Sequence, residues 1–235
     1  MINWNDPQIE LIVYLIYGTS FILMFSIMTI WRKRVAHIEF MKDFRHLAAF
    51  GLLLGLGEYS EIPRFLAIQP IWLFDSIRII LVSSSFAALL SFGLNMITIE
   101  KEEYRWVRVV PYGGLIIWLL IYIGLDFTNS GNGINDNFAV AMYGLGFIGA
   151  VVSSYSFLRI SGKMKDIIGE NAEEILFITG VCFGLYAIFG GLIADNIIGI
   201  PIVVYRTVIA VLITISVIEI FQMFRLDTNK SRQQV

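Results

Sequence analysis

The sequence predicts an all-α integral membrane protein, a seven-transmembrane-helix bundle with its N-terminus outside and its C-terminus in the cytoplasm. Three observations carry that prediction. Seven stretches are each long enough to cross a bilayer, which takes roughly 20 apolar residues. Hydrophobic residues make up 57% of the 235-residue chain and charged residues only 15%, against roughly 25% charged in soluble domains. Fourteen of the seventeen Lys and Arg residues fall on one side, in alternate gaps between the apolar stretches and beyond the last of them.

The elements follow in order, at roughly 8–31, 46–68, 71–97, 109–126, 137–160, 173–195 and 200–225. Pro7, Pro111 and Pro201 stand at helix starts, where a missing N–H costs little. Pro63 lies inside the second stretch and is expected to kink or end it. Gln69-Pro70 turns the chain between the second and third helices. Asn129 to Gly133 is turn chemistry between the fourth and fifth. The gaps are short, so residues 1–226 form one membrane domain, followed by a polar cytoplasmic tail over 227–235.

Sidedness comes from Lys and Arg in short loops, which stay in the cytoplasm. Arg32, Lys33, Arg34, Lys42 and Arg45 fill the first gap. Lys101, Arg105 and Arg108 fill the third, and Arg159, Lys163 and Lys165 the fifth. Arg225, Lys230 and Arg232 lie beyond the last helix. The N-terminus and the fourth and sixth gaps carry none. A net charge of -2 argues against a nucleic-acid partner, which requires a basic face.

The three remaining arginines, Arg64, Arg78 and Arg206, sit in the outer parts of helices, at the depth of several acids. Ionisable groups in a membrane are costly and are usually paired or functional. If the second hairpin turns at Gln69-Pro70, residues equidistant from the turn share a depth. Arg64 is then level with Asp75, and Glu61 with Arg78. Glu58 is left over, so Arg206 on the last helix is its expected partner. A carboxyl buried without a cation would instead favour its protonated form. The candidate ligand-binding or charge cluster is therefore Glu58, Glu61, Arg64, Asp75, Arg78 and Arg206. A purely structural clasp that fixes helix register is the other reading of these charges, and the two can coexist.

Glu10, Tyr14 and Tyr17 form one stripe on the first helix, read as interfacial anchors. Gly51 and Gly55, and Gly180 and Gly184, have the spacing of close helix packing. Ser83, Ser84 and Ser85 can bond back to their own helix. Cys182 reads as a small core residue. The predicted spans contain no Lys, which excludes a retinal Schiff base. His37 and His46 are the only histidines, too few for a three-histidine zinc site. No nucleophile–base arrangement is present, and the adjacent-glutamate motif of CAAX-type proteases is not matched. No catalytic residue, metal or cofactor is expected.

The run His46-Leu-Ala-Ala-Phe-Gly-Leu-Leu-Leu-Gly-Leu-Gly-Glu58-Tyr-Ser-Glu61 resembles the second helix of prokaryotic membrane sensor regions. Those regions precede PAS, histidine-kinase or diguanylate-cyclase modules. The resemblance covers about one helix and the seven-helix outline. The family pattern has His residues before the Glu and a Trp; here those places hold Leu54, Gly57 and Tyr59, and only the Glu carries over, to Glu58. The resemblance implies signal input rather than catalysis. The expected function is a sensory or receptor-like module in a prokaryotic cytoplasmic membrane. It would detect a small molecule, ion or membrane state from outside and signal through helix seven, as a homodimer or to a partner histidine kinase. A small proton- or ion-coupled transporter and a non-catalytic subunit of a membrane complex are the alternatives.

Overall fold

A computed structural model describes residues 6–35, 39–99, 102–128, 141–193, 197 and 199–233. These residues are mostly helical, with no strand among them beyond one isolated bridge between Ile197 and Ile200. Eight α-helices are described: α1 Pro7–Val35, α2 Phe44–Tyr59, α3 Ile62–Phe65, α4 Ile71–Thr98, α5 Val110–Thr128, α6 Phe147–Ile168, α7 Glu170–Tyr186 and α8 Ile202–Gln233. Short 3₁₀ segments, Glu39–Lys42 and Glu102–Val109, precede α2 and α5. A π-helical turn, Met142–Gly146, leads into α6, and another, Ala187–Leu192, ends α7. Six segments are long and apolar enough to cross a membrane, which makes the chain a multi-pass membrane protein in outline. The turn at Asn129 to Gly133 and the start of the fifth helix at 137 lie outside the described residues.

Two boundaries differ from expectation. The second helix is not continuous over 46–68: it ends at Tyr59 and resumes as the single turn α3. The cause is Pro63, whose ring clashes with the carbonyl four residues back. That carbonyl belongs to Tyr59, the last residue of α2. Placed second in α3, the proline then costs nothing, since early helix N–H groups have no partner within the helix. At the other end of the chain, the polar stretch after 226 starts as helix rather than as a loop. Helix α8 continues through it as far as Gln233.

Packing gives a closed ring of helices, α1–α2–α4–α6–α7–α8, with α8 returning to α1. Helix α5 stands outside the ring, against α4. Its apolar side chains Ile116, Ile117 and Leu120 are exposed, as lipid-facing groups would be. Glycines allow a close crossing between α1 and α2. A Cβ on Gly55 would lie 2.8 Å from the Gly18 carbonyl oxygen, and one on Gly51 2.9 Å from that of Phe21. Gly180 plays the same part between α7 and α6, where Ser154 donates to its carbonyl at 2.7 Å.

The ring centre is filled by aromatic side chains. Phe21 meets Phe50 edge-on with centroids 5.2 Å apart, Phe157 stacks on Phe183 at 5.5 Å, and Phe44 meets Phe221 at 5.4 Å. Each such pair adds about 0.5–1.5 kcal/mol beyond area burial. Together they join α1, α2, α6, α7 and α8. Serine hydroxyls tie neighbouring backbones: Ser153 donates to the Leu89 carbonyl at 3.0 Å and Ser156 to that of Gly93 at 2.9 Å. Of the serine triplet, Ser85 bonds back to its own helix as expected. The buried Ser83 hydroxyl has no hydrogen-bond partner among the described residues.

Candidate functional site

Five of the six singled-out residues converge where α2 breaks. Glu58 lies in the last turn of α2, Glu61 at the break, and Arg64 in α3. Asp75 and Arg78 lie one turn apart at the start of α4. The hairpin folds so that Arg64 donates to Asp75 Oδ1 at 2.7 Å, and Arg78 pairs with Glu61. These are the two pairs that equal distance from the turn predicts. Arg64 also approaches Glu61, at 3.6 Å.

Glu58 has a different partner from the one expected. Its Oε2 lies 3.4 Å from Arg78, so a single guanidinium serves both glutamates. A guanidinium carries five N–H donors in a fixed fork, which makes this sharing geometrically easy. Arg206 does not reach Glu58. Its Nε donates to the Phe189 carbonyl at 2.8 Å and its Nη2 to that of Ile193 at 3.1 Å. Both carbonyls belong to the end of α7, where the π-helical turn and the helix terminus leave acceptors without intrahelical donors. Arg206 is thus the cap of α7, as a cation near a helix C-terminus favours.

Exposure grades across the cluster. The Arg64 side chain is 52% accessible, whereas Glu61 and Glu58 are only 4% and 5% exposed. Tyr14 closes the site from α1. Its ring lies 6.0 Å from the Arg78 guanidinium carbon and 5.8 Å from the Phe65 ring. The aromatic face adds to the stabilisation of Arg78. Tyr17, one turn further in, is fully enclosed and shares a 2.9 Å hydrogen bond with the Tyr186 hydroxyl. The tyrosines of the α1 stripe are therefore a lid and a core bond rather than interfacial anchors. A third tyrosine, Tyr59, bonds Thr19 on α1 at 2.7 Å.

Three carboxylates face two guanidiniums here, an odd negative charge when all five are ionised. The cluster can accept a proton or a small cation on its carboxylate side. It can accept an anion only at the exposed Arg64. Among the described residues no group of three or more His, Cys, Asp and Glu is placed to hold a metal ion. Cys182 is buried in the core.

Sequence reasoning missed Tyr14 as the cover of the site, although its i, i+4 relation to Glu10 put it on the stripe. It also missed the capping role of Arg206, because the π-helical turn that frees its two carbonyls has no plain sequence signature. Comparison of the chain with protein-family models, with curated proteins and with solved structures finds no match in any of the three.

Proposed function

We propose that the chain is a membrane sensory or receptor-like module, with the outer charge cluster as its input and α8 as its output. In this reading α2 and α3 together make the remaining crossing of a seven-span bundle. The N-terminus and the Gln69-Pro70 turn are outside, and the C-terminal end of α8 is in the cytoplasm of a prokaryotic cell. The sharing of Arg78 between Glu58 and Glu61, beside a broken helix, is the observation that supports the input. A proton or cation that occupies one carboxylate releases the longer Arg78–Glu58 contact and loosens α2 from α4. The output is supported by length: α8 has 32 residues, about 48 Å at 1.5 Å per residue, against a hydrocarbon core of about 30 Å. Between the two lies the aromatic centre, which connects α2 to α8 through Phe44 and Phe221. The partner would be a second copy or a histidine kinase at the inner end of α8.

A spin label at Gln222, in a Cys182→Ala background reconstituted in vesicles, reports on α8. Acidifying or adding cations outside should change its mobility, and Glu58→Gln should remove that response. A wild-type label indifferent to pH and cations, or an unaltered response in Glu58→Gln, would sink the proposal. Cysteines at Gln69 and Lys42 should label from opposite sides, Gln69 from outside; labelling from one side would refute the topology.

The helix break beside buried carboxylates also supports a proton- or ion-coupled transporter, since discontinuous helices form such binding sites. Solute-dependent proton uptake into the same vesicles, lost in Glu58→Gln, would favour that reading instead.

A further inference from the structure

At the opposite end of the α1–α2 pair the two helices leave a crevice. Their closest approach is at Gly51 and Gly55, where backbone meets backbone. Beyond it, toward the basic first gap, a cavity of about 260 Å³ opens between them. Phe25 and Met28 of α1, Ala48, Ala49 and Leu52 of α2, and Phe221 of α8 line it. The two alanines are small where a larger side chain would fill the space. At about 30 Å³ per molecule the volume would take eight or nine waters, yet each bound water needs two to four polar partners. Thr29 and Arg45 are the only polar side chains in the lining. The crevice is therefore built for hydrocarbon.

Its polar edge has a definite charge. Arg45 belongs to the lining and is exposed. Its Nε donates to His46 Nε2 at 3.3 Å, and no carboxylate among the described residues lies within ion-pair distance of it. The nearest acid in sequence, Asp43, accepts a 3.2 Å bond from Asn95 of α4. Lys42 is exposed beside it. An apolar slot with an unpaired guanidinium at the membrane boundary matches one ligand chemistry: an acyl chain attached to an anionic headgroup. Basic pockets between helices on the cytoplasmic side bind acidic lipids in this way.

We propose that this crevice is a site for one anionic phospholipid, its acyl chain between α1 and α2 and its phosphate on Arg45. The chain end then touches Phe221, so occupancy bears directly on α8. The site is independent of the outer cluster, and its failure would leave the sensor reading untouched.

The test is retention of spin-labelled phosphatidylglycerol against phosphatidylcholine by the full chain in nanodiscs. Wild type should retain phosphatidylglycerol about five-fold more strongly, the worth of one basic residue near a membrane surface. Arg45→Gln should bring the two lipids to parity. Ala49→Phe, which fills the slot, should release both, and unchanged helicity and Tyr17–Tyr186 environment would show that it still folds. Lys165→Gln, at an ion pair with Glu173 elsewhere, should change nothing. Equal retention of both lipids by wild type, or undiminished preference in Arg45→Gln, would overturn the proposal. So would full competition by soluble glycerol phosphate, which would reduce the site to an anion contact without a chain.

Discussion

Removing Arg78 tests the cluster most directly. The substitution Arg78→Met keeps much of the length and apolar stem but strands Glu58 and leaves Glu61 only the 3.6 Å approach of the exposed Arg64. Glu58 lies 3.4 Å from the guanidinium. Two unit charges at that distance attract by about 5 kcal/mol at an effective dielectric of about 20, much of which desolvation cancels. Breaking a buried pair on one side nonetheless costs about 3–5 kcal/mol, because the remaining charge is uncompensated. With Glu58 and Glu61 both nearly inaccessible, Arg78→Met should fall in that range, two to three and a half powers of ten in the folding constant. Arg64 provides the internal comparison. It belongs to the same cluster and makes a 2.7 Å bond to Asp75, yet its side chain is 52% accessible. Arg64→Met should therefore cost only about 0–1 kcal/mol, as exposed pairs do. Reversible unfolding in mixed micelles measures both. The triple variant Glu58→Gln, Glu61→Gln, Arg78→Met removes the stranded charges and should recover most of the loss. Equal losses for the two arginines, or a triple variant less stable than Arg78→Met, would refute the view that burial of the glutamates sets the energetics.

Gly55→Val should cost about 1–3 kcal/mol through overpacking, because its Cβ would stand 2.8 Å from the Gly18 carbonyl; the same micelle titration reads it. Arg206→Met leaves the Phe189 and Ile193 carbonyls without their charged donor and should cost about 1.5–3 kcal/mol. It should also leave the pH response of a Gln222 label intact, whereas loss of that response would tie Arg206 to the input. Burial raises the Asp43 carboxyl above its usual range, against the opposing pull of His46, Arg108 and Arg45. Folding thus favours the protonated acid, so its contribution is greatest below the ordinary carboxylate value and declines as pH rises through the raised one. Asp43→Asn should accordingly be more stable than wild type near neutrality, with the difference closing as pH falls below about 4.

The helical class and the charge pairs of the hairpin were legible because each rests on a rule local in sequence. Apolar runs report spans, and Arg64–Asp75 and Glu61–Arg78 follow from counting outward from Gln69-Pro70. The fate of Glu58 was not legible, because counting assigns one partner to each charge and a guanidinium can hold two. Pro63 announced a break, but its position at Tyr59 required the clash to be traced four residues back. Arg206 escaped for a different reason. Its partners are main-chain carbonyls, exposed by a π-helical turn that depends on how α6 and α7 meet. Hydropathy likewise ranks α5 with the other spans and cannot say that it packs outside the ring.

The closure of that ring also has a consequence for biogenesis. Helix α1 contacts both α2 and α8, and Thr214 of α8 donates to the Ser20 carbonyl across 194 positions of sequence. During synthesis α1 can settle against α2 through the Gly18, Gly51 and Gly55 crossing as soon as both have entered the bilayer. Its other flank must wait for α8 to leave the ribosome. Until then the Ser20 carbonyl and the surface that receives α8 face lipid or the insertion machinery. The ring therefore closes only after α8 is inserted, through the contact between α1 and α8.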